Sequence, residues 1–105
     1  MAESIKDKVA IVGMGCTKFG ERWNADAKDM ITEAVDEACL DAGVELKDIQ
    51  AIWQGTQWGT QLSEGGVATG TLVSSALQTQ YIPVTRVENA CGTGAESLRR
   101  ATFAL

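Results

Sequence analysis

The chain has 105 residues, of which 9 are basic and 14 acidic, and it contains no histidine, so its formal net charge is −5. This length allows one domain at most, and the 45% share of hydrophobic residues is typical of a globular chain, not of a disordered or collagen-like one. The acidic balance excludes nucleic acid and an anionic membrane as main partners, and the absence of histidine excludes a histidine-based triad or zinc site within these residues.

The three cysteines, Cys16, Cys39 and Cys91, are widely spaced and form neither a disulfide framework nor a metal-binding CxxC pattern. We interpret them as reduced, intracellular thiols, expect no metal site, and take Cys16 and Cys39 to be small packing residues. The apolar run at residues 9–14 is too short for a signal peptide core or a membrane span. The sequence therefore predicts a cytoplasmic protein.

The first predicted element is a strand at residues 9–14 (VAIVGM), whose unbroken apolar run is typical of a strand buried on both faces of a parallel sheet. A loop follows it. A helix then begins near Asp26, because Asp26 and Asp29 resemble a capping box, and it ends before Gly43, which suits a left-handed C-terminal position. Its apolar face has helical spacing and comprises Ile31, Ala34, Val35, Ala38 and Ala42.

The rest of the chain continues the alternation of strand and helix. The patterns predict a strand, a glycine-rich loop, a helix, a strand and a helix, over residues 51–54, 55–66, 67–78, 84–88 and 94–105. The resulting order, βαβαβα, predicts an α/β fold with a mostly parallel sheet. The last helix is apolar as far as Leu105 and carries no stop signal, so residues 1–105 are expected to be part of a larger domain.

The strongest chemical signal is Cys91, which lies among glycines (NACGTG) at the predicted turn between the third strand and the third helix. A helix N-terminus presents unpaired N–H groups and partial positive charge, which stabilise a thiolate and predict a reactive cysteine. Gly92 and Gly94 give the backbone freedom to bring amide groups to a substrate carbonyl, as in an oxyanion hole. A buried, inert cysteine is the alternative that spacing alone leaves open.

The segment VENACGTGAESLRRA resembles the nucleophile segment of the thiolase superfamily, in particular the branch of sterol carrier protein x thiolases and archaeal acetyl-CoA acetyltransferases. KVAIVGMGCTKFGER resembles the first strand and loop of that family, and DMITEAVDEACLDAG with IQAIWQGT is similar to the next helix and strand. Family members are several times longer, so the resemblance identifies this chain with the opening part of the first half, a partial N-terminal domain.

The resemblance implies an acyltransferase of thiolase type in lipid metabolism, with coenzyme A thioesters as substrates and no bound cofactor. Cys91 matches the nucleophile that accepts the acyl group, in Claisen condensation or in thiolytic cleavage of a 3-ketoacyl-CoA. The histidine that activates this cysteine and a second cysteine come from later family segments that the chain lacks. The alternatives are a ketosynthase, a hydroxymethylglutaryl-CoA synthase or an aldolase relative of the same superfamily, and a non-catalytic interaction fragment.

The expected partners are an acyl-CoA substrate, further copies of the chain in a dimer or larger homo-oligomer, and an accessory acyl-CoA-binding subunit, which the resemblance permits. In folds of this family the strand at residues 84–88 lies at a sheet edge, where two subunits pair it antiparallel. A two-fold axis near Val87 would place Arg86 opposite Glu88 of the other copy.

Two further groups of residues could serve either packing or substrate. Trp23, Trp53 and Trp58 could line a substrate channel, but we expect them to anchor loops onto the core. Arg99 and Arg100 could meet a phosphate of coenzyme A or lie on a partner or solvated surface, and the sequence leaves them unassigned.

Overall fold

A computed structural model of the chain describes residues 4–57 and 70–105. These residues form three α-helices and two strands: α1 (Ala27–Ala42), β1 (Ile52–Gly55), α2 (Gly70–Leu77), β2 (Val84–Val87) and α3 (Thr93–Phe103). Two short 3-10 turns, Leu46–Asp48 and Ala90–Gly92, precede β1 and α3. The predicted α/β class is confirmed. Residues 58–69, which include most of the predicted loop and the start of the predicted second helix, lie outside the described residues.

The sheet consists of β1 and β2, which pair in parallel with Ile52 opposite Val84. Successive side chains of a strand point to opposite faces, so Ile52 and Gly55 lie on different sides. Ile52 faces an apolar cavity that α1 also lines, and α2 packs against both α1 and β2. Gly55 faces the first turns of α3. The sheet therefore lies between α1 with α2 on one side and α3 on the other.

Helix α1 begins and ends where the sequence predicts. The Asp29 N–H donates to the Asp26 carboxylate at 2.8 Å, and the Asp26 N–H donates to the Asp29 carboxylate at 3.0 Å, which completes a capping box. At the other end Gly43 has a left-handed φ of 69°, and its N–H meets the carbonyl oxygens of Cys39 and Leu40. The predicted apolar face is half-buried along its length.

The predicted first strand is wrong, because residues 9–14 belong to no sheet in the described part of the chain. The segment lies against α1 instead. A Cβ at Gly13 or Gly15 would collide with α1, so these glycines permit a close approach. The Met14 N–H, a donor that a sheet would use, donates to the Asp41 carboxylate at 2.9 Å. Residues 9–14 thus have the composition of a buried strand, but they pack against the surface of α1 and pair with no strand.

An apolar cavity of about 250 Å³ separates this segment from the sheet. Val12 and Gly13 line it on one side, Val35 and Cys39 of α1 on another, and Ile52 of β1 on a third. The expectation that Cys39 packs is confirmed, since its side chain is half-buried in this wall. Cys16 is exposed and its Sγ donates only to the Thr17 carbonyl at 3.4 Å, so its expected packing role is wrong.

Helix α2 carries the most buried side chains of the described residues, Val73 at 3% exposure and Leu77 at 8%. It is tied to α1 by the Lys28 Nζ, which donates to the Ser75 Oγ at 3.1 Å. Helix α3 ends at Phe103, two residues before its predicted end, and Leu98, Phe103 and Leu105 are exposed. The side of α3 that carries Leu98 is therefore uncovered, whereas Ala101 is half-buried.

The tryptophans do not behave alike. Trp23 is 89% exposed, so the expectation that it anchors a loop onto the core is wrong, whereas Trp53 is half-buried in β1. Trp58 lies outside the described residues. Within residues 4–57 and 70–105, no helix has both the length and the apolar content needed to cross a membrane.

Candidate active site

Cys91 lies in the 3-10 turn Ala90–Gly92, which joins the carboxyl end of β2 to the first turn of α3. The strand-to-helix turn that the sequence predicts is therefore present. The Cys91 side chain is exposed in the described residues, so it does not have the burial that the alternative of a buried, inert cysteine requires. In parallel sheets this end of the strands is where ligands commonly bind.

The turn is held by a compact set of hydrogen bonds around Ala90, which has a left-handed φ of 44°. The Ala90 N–H donates to the Glu88 Oε2 at 3.0 Å. The Thr93 hydroxyl accepts from the Asn89 N–H at 2.9 Å and donates to the Ala90 carbonyl at 2.7 Å. The Gly92 N–H donates to the Asn89 carbonyl at 2.8 Å. Four consecutive peptide units thus have fixed orientations on the two sides of Cys91.

The end of β1 packs at Gly55 against the first turns of α3, directly after the turn that contains Cys91. A Cβ at Gly55 would lie 2.5 Å from the Ser97 Oγ and 3.0 Å from the Thr93 Cγ2, so only glycine allows α3 to approach this closely. The Ser97 hydroxyl donates to the Thr93 carbonyl at 3.1 Å. These contacts were not predicted from the sequence. The available signal was the row of small residues Thr93, Ser97 and Ala101, four apart on one face of α3.

The two arginines of α3 share one carboxylate. Glu96 accepts from Arg99 Nε and Nη2 at 2.9 and 2.7 Å, and from Arg100 Nε at 2.8 Å. Hydrogen bonds from Arg99 and then Arg100 lower the pKa of Glu96 to about 2, and the Glu96 carboxylate in turn raises the pKa of Arg99. Arg99 also lies 5.9 Å above the centroid of the Phe103 ring. Both arginines are thus engaged on an exposed side of α3.

The predicted site residues are found together in one short segment. Cys91 and Gly92 lie in the 3-10 turn, and Gly94 lies in the first turn of α3, where a Cβ would meet no atom within 4 Å outside the backbone of its own helix. Cys16 and Cys39 lie in other parts of the fold. The described part of the chain holds no group of three or more side chains suited to a metal ion.

The chain is similar in sequence to two archaeal proteins named acetyl-CoA acetyltransferase. It is 39% identical over 98 residues to that of Methanothermobacter thermautotrophicus and 39% identical over 95 residues to that of Methanocaldococcus jannaschii. It is also 35% identical over 96 residues to the non-specific lipid-transfer protein-like 2 of Caenorhabditis elegans. These alignments cover 92%, 90% and 89% of the chain.

The chain spans about a quarter of the length of these relatives, 25%, 24% and 22% respectively. No protein-family model matches it. Nearly all of the chain is therefore similar to acetyl-CoA acetyltransferases, while most of each relative has no counterpart in these 105 residues.

Proposed function

We propose that this chain is part of a thiolase-type acyltransferase and that Cys91 is the nucleophile that accepts the acyl group. The observation that carries the proposal is the exposed Cys91 at a strand-to-helix turn, in a chain that is 39% identical to acetyl-CoA acetyltransferases. Exposure gives a thioester access to the sulfur, and the N-terminus of α3 directs the partial positive charge of the helix dipole toward the turn.

In the proposed step the Cys91 sulfur attacks the carbonyl carbon of an acyl-CoA thioester. The bond from that carbon to the coenzyme A sulfur then breaks, the acyl group stays on Cys91, and coenzyme A leaves as a thiol after taking up the proton that Cys91 lost. Coenzyme A thioesters are thus substrates, and the step needs no bound cofactor or metal ion. Claisen condensation with a second acyl-CoA, or the reverse thiolysis, would complete the cycle.

The developing negative charge on the carbonyl oxygen needs hydrogen-bond donors, and backbone amides near Cys91 are the candidates. Gly94 lies in the first turn of α3 in open surroundings, which leaves room for a substrate oxygen. The Gly92 N–H already donates to the Asn89 carbonyl, so it would have to leave that acceptor before it could bind a substrate. We therefore propose Gly94 as the first of the two predicted amides to test.

A complete catalytic site needs a base that removes the Cys91 proton. The 105 residues contain no histidine, so a histidine with this role would lie outside them. The same absence favours the second candidate function, a non-catalytic interaction module. A ketosynthase, a hydroxymethylglutaryl-CoA synthase or an aldolase relative of the superfamily is distinguished from the thiolase reaction by the product formed. A cytoplasmic location, a role in lipid metabolism and an accessory acyl-CoA-binding subunit belong to the same proposal.

Alkylation tests the nucleophile assignment. At neutral pH, iodoacetamide is expected to modify Cys91 before Cys16 and Cys39, with the three sites followed by peptide mass spectrometry, because Cys91 alone combines exposure with a helix N-terminus. Prior incubation with acetyl-CoA is expected to protect Cys91 as a thioester that hydroxylamine removes, without sustained turnover. The Cys16→Ala variant is the matched control and should behave as the parent chain does.

Two results would contradict the assignment. Faster alkylation of exposed Cys16 than of Cys91 would show that Cys91 has no special reactivity. Sustained release of coenzyme A over many cycles, also seen in the Cys91→Ala variant, would require a different nucleophile. If Cys91 is alkylated first but forms no thioester with acetyl-CoA, the hypothesis of a non-catalytic interaction module is favoured for the isolated chain.

We also propose that the chain associates with further copies, through the outer edge of β2 and the uncovered side of α3. In the described residues β2 pairs only with β1, so its other edge has no strand beside it. Unpaired edges and exposed apolar patches favour association. Arg86 donates to the Thr56 carbonyl and Glu88 accepts from Ala90, so the proposed contact does not rest on an ion pair between Arg86 and Glu88.

Sedimentation of substituted chains tests this contact. The Leu98→Asp variant is expected to shift a dimer or larger oligomer toward monomer, because it places a charge on the exposed apolar side of α3. Leu40→Asp, at an 84% exposed leucine of α1, is the matched control and should leave the oligomer intact. A folded monomer of the unsubstituted chain would refute the proposal.

A further inference from the structure

We infer that Thr93 is a positioning residue for Cys91: its hydroxyl holds the peptide groups on both sides of Ala90 and so keeps the thiol exposed at the start of α3. The inference rests on the proposed role of Cys91 as nucleophile. It adds a specific requirement, a hydroxyl group at residue 93, that neither the turn nor the glycines around it would impose.

The need for such a residue comes from the backbone of Ala90. A left-handed φ of 44° is uncommon for a residue that has a Cβ, and such conformations persist where the surrounding contacts fix them. Ala90 directly precedes Cys91, so its φ and ψ decide where the chain carries the thiol. If Ala90 relaxed to a negative φ, Cys91 would turn away from its present place between β2 and α3.

The Thr93 hydroxyl supplies two of the contacts around Ala90 with one atom, in addition to the Thr93 backbone N–H, which also donates to the Ala90 carbonyl. Its Oγ1 accepts from the Asn89 N–H at 2.9 Å and donates to the Ala90 carbonyl at 2.7 Å. Both the acceptor and the donor capacity of the hydroxyl are thus used, which a valine of nearly the same shape would lack. Thr93 is only 9% exposed, so water has little access to replace these bonds.

The methyl group of Thr93 fixes the direction of the hydroxyl. A Cβ at Gly55 would lie 3.0 Å from the Thr93 Cγ2, which places this methyl against the end of β1. With the methyl held there, the staggered rotamers of a β-branched side chain leave the hydroxyl directed at the Asn89–Ala90 peptide groups. Thr93 thereby connects the end of β1 to the backbone that presents Cys91.

The test compares alkylation rates of Cys91 and Cys16 within the same molecule. Thr93→Val is expected to lower the ratio of the Cys91 rate to the Cys16 rate by roughly tenfold, equivalent to about 1.4 kcal/mol, the scale of one or two neutral hydrogen bonds. Thr93→Ser keeps the hydroxyl and is expected to restore most of the ratio. A residue that served packing alone would give the opposite order, because valine preserves the methyl contact and serine does not.

The half-buried Cys39 reports on unfolding in the same experiment, since opening of α1 would expose its thiol and raise its alkylation rate. Should Thr93→Val raise the Cys39 rate, the change is repeated in an Ala90→Gly background, where glycine accepts a left-handed φ without strain. The effect of Thr93→Val on Cys91 is expected to be smaller there. An equal effect in both backgrounds, or an unchanged ratio in Thr93→Val, would overturn the inference. A parent chain whose Cys91 is no faster than Cys16 would overturn the proposed function instead.

Discussion

Replacing Leu77 by alanine is expected to lower the free energy of unfolding by about 2–5 kcal/mol, whereas the same change at Leu40 is expected to lower it by less than about 0.5 kcal/mol. Both leucines lie on helices, but Leu77 of α2 is 8% exposed and Leu40 of α1 is 84% exposed. Truncation of Leu77 removes apolar contacts and leaves a cavity among α1, α2 and the sheet. Urea denaturation followed by circular dichroism measures both values.

The expected loss at Leu77 is a large share of the total free energy of unfolding of a small domain, which is about 5–15 kcal/mol. Few side chains share the burial in the described residues, so the loss cannot be spread over a wide core. Equal losses at Leu77 and Leu40 would mean that α2 is not packed as described. An unchanged urea midpoint for both variants would likewise mean that α2 is not packed as described.

Gly55→Ala is expected to destabilise the chain by about 1–3 kcal/mol, the usual range for overpacking. The added Cβ would lie 2.5 Å from the Ser97 Oγ and 3.3 Å from the Thr93 carbonyl oxygen, so α3 must move away from β1. Because Thr93 lies at this contact, the same substitution should also slow alkylation of Cys91. Thermal unfolding and the alkylation ratio give the two readouts.

A second substitution separates this clash from a general effect of alanine. Ser97→Ala removes the nearest obstructing atom, so the double variant Gly55→Ala, Ser97→Ala is expected to be more stable than the sum of the single changes predicts. For thermal unfolding alone, Gly94→Ala is the matched glycine control, since a Cβ there would meet no atom within 4 Å outside the backbone of its own helix and alanine is favoured in a helix. Strict additivity of the Gly55 and Ser97 changes would contradict the close packing of α3 on β1.

Local chemistry explains why most elements could be predicted. The Asp26 and Asp29 capping box and the left-handed Gly43 determine the ends of α1 through contacts between neighbours in sequence. The strand at residues 9–14 was wrong for the complementary reason. A β-strand requires a neighbouring strand for its backbone hydrogen bonds. Composition indicates that a segment is buried, but it does not indicate whether a strand or a helix covers it.

In the candidate site, too, some features follow from adjacent residues and others depend on tertiary packing. Cys91, Gly92 and Gly94 could be proposed from the sequence because the chemistry of a thiol at a helix N-terminus depends on adjacent residues. The engagement of the Gly92 N–H by Asn89, and the support of Thr93 by Gly55, depend on the φ of Ala90 and on how closely α3 approaches β1. Neither quantity is set by sequence neighbours, so neither could be predicted from them.

The parallel pairing of β1 with β2 affects the order in which the secondary-structure elements form during folding. Ile52 meets Val84 only after the intervening chain has closed into a crossover, an entropic barrier that α1, with its own caps and local hydrogen bonds, does not face. Helix α1 is therefore expected to form early in refolding. The contact of Gly55 with Thr93 needs the end of β1 beside α3, so the final geometry around Cys91 is a late product of folding. Helical content alone would overstate how much of the refolded chain has a competent thiol.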